Sequence, residues 1–145
     1  VLECKKTIFS DRKRIEIGRN SEEMAILGDS NILSRALENL IKNALEAVKD
    51  NDFVKVSCRS TDKGKSVIFE VWNSGVIDRA TQLQIFHRSF STKGAAKGIG
   101  TYMTRLLVER YLEGTVSFES SEDFGTVFRI KIPVADPKAN LEEQE

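Results

Sequence analysis

The chain has little of what would let it do covalent or metal chemistry unaided. Its 145 residues include one histidine, His87, and two cysteines, Cys4 and Cys58, far apart and in no Cys-x-x-Cys pair. That excludes a Cys/His zinc site built by this chain alone and leaves any Ser-His-Asp or Cys-His catalyst dependent on His87. It also points to a reducing, cytoplasmic setting, with Cys58 read as a small core residue. Long apolar runs are missing too. The longest, Met24 to Leu27, has four residues, against the ~20 that a membrane-spanning helix needs. No signal-peptide pattern opens the chain, and no membrane contact is expected of it. Net charge is absent as well: Lys plus Arg and Asp plus Glu are both 22. A neutral chain argues against a nucleic-acid-coating protein and against a charged disordered segment. No G-x-x-x-x-G-K-[ST] loop occurs.

What is present reads as one ordinary globular domain, 40% hydrophobic and 30% charged. Residues 1–135 are expected to form it, with 136–145 a polar, frayed tail. The charge is balanced in total but not in place. Between Asp78 and Glu109 there is no acid, while Arg79, Arg88, Lys93, Lys97 and Arg105 give five bases. A basic strip on a neutral protein suits a local anionic partner, although a solvated basic face would look the same. The strip also holds Gly94, Gly98 and Gly100 among Ser89, Ser91 and Thr92. Glycine lets backbone N–H groups approach a phosphate closely, and lysine neutralises it.

Periodicity supplies the elements. Residues 1–13 have no clean period. Arg14 to Gly18 alternates as a short strand, and Met24 to Leu27 reads as a second. Leu33, Leu37, Leu40, Ala44 and Val48 recur at spacings of three and four, widened by Ile32, Ala36, Ile41 and Leu45. That predicts a helix over about residues 30–49, capped by Asp29 or Ser30. Val54, Val56 and Cys58, then Val67, Phe69 and Val71, alternate with polar neighbours around a turn at Asp62-Lys63-Gly64, a hairpin with one buried face. A bend follows at Asn73-Ser74-Gly75, then a short helix over Ala80 to Phe86. Ile99, Met103, Leu106, Leu107 and Tyr111 mark a second long helix. Val116 and Phe118, a turn at Phe124-Gly125, and Phe128, Ile130 and Ile132 close the chain as a second hairpin. Helices segregated from antiparallel hairpins predict an α+β, two-layer sandwich.

Four segments then fall into order: Glu38-Asn39-Leu40-Ile41-Lys42-Asn43-Ala44, Trp72-Asn73-Ser74-Gly75, Ile85-Phe86-His87-Arg88-Ser89-Phe90-Ser91-Thr92-Lys93-Gly94, and Lys97-Gly98-Ile99-Gly100-Thr101. Together they resemble the ATP-binding catalytic domain of bacterial sensor histidine kinases, on the ATPase fold shared with gyrase, Hsp90-type chaperones and MutL. The resemblance runs from about Gly28 to Pro133. It implies a mixed sheet of about five strands with about three helices on one face.

The resemblance also implies roles. Asn43 looks like the residue whose side-chain oxygen coordinates Mg²⁺ at the nucleotide phosphates, a fitting ligand for a hard cation. Asn39, one turn earlier, faces the same site. Hydrolysing relatives carry there a glutamate that activates water, and an asparagine cannot act as that base. Glu38 is either a base or a structural helix acid. Phe86 and Phe90 match the family's phenylalanine box, as lid anchors or as plain core residues. Lys93 and Lys97 are candidate phosphate contacts. Gly98 and Gly100, flanking Ile99 at a helix start, would hold phosphates on backbone N–H groups. Asn73 and Gly75 stand in the first glycine box, where Asn73 would read the base, and Lys42 and Thr126 complete the ATP-binding set. His87 reads as a surface or lid histidine.

The chain departs from the family pattern in three places. Asn73 replaces an aspartate, the second glycine of that box is absent with the segment one residue short, and Ala96 replaces the first glycine of the later box. No phosphoacceptor-histidine helix is present. The expected function is the Mg-ATP-binding catalytic domain of a two-component histidine kinase. It would pass the γ-phosphate to a histidine on a dimerisation domain of the same parent chain and thence to a response regulator, in a parent that is cytoplasmic or membrane-anchored. The alternatives are a serine kinase of the anti-sigma-factor type and a degenerate nucleotide-binding or docking module.

Overall fold

The computed structural model describes residues 14–17, 30–87 and 99–134. Chain order is β1 (Arg14–Ile17), α1 (Ser30–Ala47), β2 (Phe53–Thr61), β3 (Ser66–Asn73), α2 (Arg79–Gln82), α3 (Ile99–Tyr111), β4 (Thr115–Ser121) and β5 (Gly125–Pro133). The strands form one mixed sheet in the order β1-β2-β3-β5-β4. β1 runs parallel to β2, and every other pairing is antiparallel. The expected α+β sandwich with a five-stranded mixed sheet is therefore the fold.

The apolar stripe of α1 packs as its spacing predicts: Ala36, Leu37, Leu40, Ile41, Ala44, Leu45 and, just beyond, Val48 are buried. They meet Val54 and Val56 of β2, Val67, Phe69 and Val71 of β3, and Phe128, Ile130 and Ile132 of β5. Burying these side chains, at roughly 1.5–3 kcal/mol each, is what holds the helical layer to the sheet. Cys58 is half-buried and packs at the edge of this core. The opposite sheet face is polar. Glu70 bridges Arg59 at 2.9 Å and Arg129 at 3.3 Å across three strands, and Trp72 tilts against Phe53 there.

Two expectations need correction. The short helix ends early: α2 is one turn, and 83–86 continue as turns. Asp78 starts it by accepting the Thr81 N–H at 2.9 Å, and these hydrogen bonds hold its carboxyl below the usual range. The buried line of α3 is Thr104 and Val108, both 0% exposed, followed by Leu112, whereas Tyr111 is 63% exposed. A threonine supplied the turn of that stripe which apolar periodicity alone assigned to its neighbours. The helix stops where Glu113 adopts φ 54° and Gly114 N–H returns to the Val108 carbonyl. Readings made on 1–13, Met24 to Leu27, Asp29, Arg88 to Gly98 and the tail 136–145 lie outside the described residues.

Candidate functional site

Among the described residues, two of the three buried polar side chains meet where β3 ends and β5 begins, the third being Thr104 of α3. Asn73 and Thr126 are register partners there, 3% and 1% exposed. Buried polar groups need partners, and both have them. Asn73 Oδ1 accepts the Gly75 N–H at 2.8 Å, while Thr126 Oγ1 donates to the Gly75 carbonyl at 2.8 Å. Thr126 also lies 2.7 Å from Ser120 Oγ. Because the Thr126 proton goes to Gly75, Ser120 is the donor in that pair. Ser120 Oγ in turn accepts the Ile77 N–H at 2.8 Å, and Gln82 Nε2 donates to the Ile77 carbonyl at 2.7 Å. A one-way relay thus pins residues 75–77 to β4 and β5 and ties them to α2.

Two glycines make this junction possible. A side chain on Gly75 would meet Asn73 Oδ1 at 2.9 Å and the Ala47 carbonyl at 3.2 Å. Gly125, at φ 91°, would drive a Cβ to 2.3 Å from the Asn73 carbonyl. The Gly75 contact also seats the last residue of α1, Ala47, against the bend. Asn39, Asn43 and Ala47 recur every four residues, so they lie in one row along α1. That row brings Asn43 to about 6 Å along the helix axis from the level of Ala47, and Asn39 to about 12 Å. Both asparagines are half-buried, and neither side chain has a hydrogen-bond partner among the described residues.

The structure thus brings Asn73, Gly75 and Thr126 together with Ala47, the last residue of α1, while Asn43 and Asn39 lie one and two turns back along the row that leads to it. Glu38 and Lys42 flank the asparagine row and are exposed. Ile99 and Gly100 open α3, where the first backbone N–H groups of a helix lack internal acceptors. Phe86 is half-buried against the core, edge-on to Phe118 at 5.6 Å and beneath the Arg105 guanidinium at 5.7 Å. His87 is exposed, as expected of a surface histidine. Phe90, Lys93, Lys97 and Gly98 lie outside the described residues.

Among the described residues no three His, Cys, Asp or Glu side chains cluster. A protein-only cage is therefore not formed there, whereas the Asn43 carboxamide oxygen is the kind of single hard ligand that Mg²⁺ shares with phosphates and water. No helix among the described residues is long and apolar enough to cross a membrane. Sequence reasoning missed Ser120, Ala47 and Asp52, whose carboxylate accepts the Ser74 hydroxyl. None of the three carries a local signal. Asp78, by contrast, had one in its Asp-x-x-Thr capping pattern.

Comparison with known proteins agrees with this fold. Over 132 residues the chain is 29% identical to sporulation kinase B of Bacillus subtilis (strain 168), covering 89% of this chain and 30% of that protein. The chain therefore spans about a third of the length of the curated relatives it matches. The solved catalytic domain of histidine kinase ThkA superposes with a TM-score of 0.74 at 28% identity, covering 85% of this chain and 80% of that one. Histidine kinase ThkA in complex with response regulator protein TrrA matches with a TM-score of 0.68 at 27% identity, over 85% of this chain and 34% of that one. Residues 28–136 match the family described as histidine kinase-, DNA gyrase B-, and HSP90-like ATPase. With three-quarters of its length inside that match and a histidine-kinase catalytic domain as its structural counterpart, the chain belongs to this ATPase family.

Proposed function

We propose that this domain binds Mg-ATP at the junction of α1, β3 and β5 and presents the γ-phosphate to a histidine on a separate dimerisation domain of its parent chain. The Gly75 junction carries the reading. The row that carries Asn39 and Asn43, which have no side-chain partner among the described residues, ends at Ala47 against Gly75, beside the buried Asn73 and Thr126, and this supports a site with a metal-ligating oxygen and a polar wall for the base. Asn43 would hold Mg²⁺ through its side-chain oxygen, and the metal supplies charge neutralisation at the phosphates when bound. The amino end of α3, with Gly98 and Gly100, would take phosphate oxygens on backbone N–H groups, assisted by Lys42, Lys93 and Lys97. Asn39 orients ligands but cannot accept a proton from water, and Glu38 points outward as a helix-surface acid. Catalysis by such a site is positioning and electrostatics. Phosphate would pass from the histidine to a response regulator in the cytoplasm, as the ThkA–TrrA complex suggests by likeness.

The test pairs binding with turnover. Calorimetry should show ATP binding that depends on Mg²⁺, phosphate release by the domain alone should be negligible, and adding the parent's dimerisation domain should yield phosphohistidine. Rapid hydrolysis by the isolated domain would contradict the role given to Asn39. A failure to bind any nucleotide would leave a docking module.

A further inference from the structure

We propose that Asn73 turns the base pocket toward 6-oxopurines, so that inosine and guanosine triphosphates bind at least as well as ATP. The proposal rests on reading the Asn73–Thr126 wall as the place of the base. Hydrogen-bond polarity carries it. Asn73 Oδ1 takes the Gly75 N–H at 2.8 Å. Turning the amide over would set its NH₂ against that N–H, two donors face to face, so the orientation of this carboxamide is decided by its neighbour.

Gly75 cannot swing aside to relieve such a clash. Its carbonyl holds the Thr126 hydroxyl at 2.8 Å, and Ile77, two residues on, is held by Ser120. The oxygen of Asn73 is thus committed inward, and Nδ2 is the end left for a ligand. No described residue accepts from Nδ2. The Thr126 proton is committed to Gly75, so the wall shows a ligand the donor of Asn73.

Position 6 of a purine distinguishes the bases at such a donor. Adenine carries an amine there, also a donor, and the two repel or need an intervening water. Hypoxanthine and guanine carry a carbonyl, which accepts directly from Nδ2. A carboxylate at residue 73 would behave in the opposite way. One oxygen would take the Gly75 N–H and the other would accept from the adenine amine.

The experiment is competitive displacement of a fluorescent nucleotide by ATP, ITP and GTP, on the parent chain and on Asn73→Asp, with direct calorimetry of each nucleotide. ITP is the primary probe because it differs from ATP at position 6 and lacks the guanine 2-amino group. The parent should bind ITP as tightly as ATP or more tightly. Asn73→Asp should tighten ATP and weaken ITP, each by about five- to tenfold, the worth of one net hydrogen bond. A parent that prefers ATP over ITP overturns the proposal, as does a preference that Asn73→Asp leaves unchanged. Should Asn73→Asp fail to fold, the parent's ATP-to-ITP ratio decides alone. Absence of binding by all three nucleotides refutes the nucleotide-site reading itself, and this proposal with it.

Discussion

Replacing Thr126 by valine tests whether the relay, rather than apolar packing, holds the bend that carries Gly75. Valine keeps the shape and the β-branch of threonine, so strand propensity and core volume change little. What is lost is one hydroxyl, on a residue 1% exposed, with two jobs: it donates to the Gly75 carbonyl and accepts from Ser120. Each neutral hydrogen bond contributes about 1 kcal/mol net, and a buried group left without a partner costs about 1–3 kcal/mol. The Gly75 carbonyl is the group orphaned, while Ser120 can rotate its proton and still accept from Ile77. The expected loss is therefore about 2–3 kcal/mol, read as a lower urea midpoint at unchanged slope. Ser120→Ala removes the same link from its other end, so the double variant should lose less than the sum of the singles, a coupling of about 0.5 kcal/mol or more. Nucleotide affinity should fall with Thr126→Val as well, because a freed Gly75 no longer fixes the Asn73 amide. A stability loss below about 0.5 kcal/mol, or strict additivity with Ser120→Ala, refutes the relay.

Further outcomes follow from single residues. Asn43→Ala should leave the fold intact, since its half-buried side chain has no hydrogen-bond partner among the described residues. It should abolish the Mg²⁺ dependence of nucleotide affinity, a loss on the order of 10–100-fold, checked by calorimetry with and without the metal. Glu113→Gly should stabilise the domain by about 1 kcal/mol, because Glu113 holds φ 54° at the end of α3, a region glycine occupies without strain; urea denaturation reads it. Hydrogen bonding from Lys131 holds the exposed Asp62 carboxyl below its ordinary 3.8. A depressed folded-state pKa gives stability that is present above about 3.8 and lost as pH falls through the lower folded value. Asp62→Asn should therefore flatten the acid limb of the stability–pH curve, and an acid limb identical to the parent's would show that the ion pair with Lys131 contributes nothing.

The sequence by itself determined the layers. The three-and-four spacing of Leu33 to Val48 yields α1 within two residues of the expected end, and strict alternation yields both hairpins. These are local patterns, repeated at each turn or pair, and burial of one face enforces every repeat. The order of the asparagine, glycine and phenylalanine boxes was legible for the same reason, each box being contiguous. Tertiary structure decided the chemistry between them. Asn73 could be read as facing a base, but not which of its two amide ends faces outward. That depends on Gly75, held by Thr126, 51 residues away, and on Ile77, held by Ser120, 43 away. In α3 the line Thr104–Val108–Leu112 displaced Tyr111 from the core, because a threonine that satisfies its hydroxyl packs as well as an apolar side chain. Hydrogen bonds between residues so distant in sequence leave no periodic trace, so their direction becomes visible only once the strands that carry them are paired.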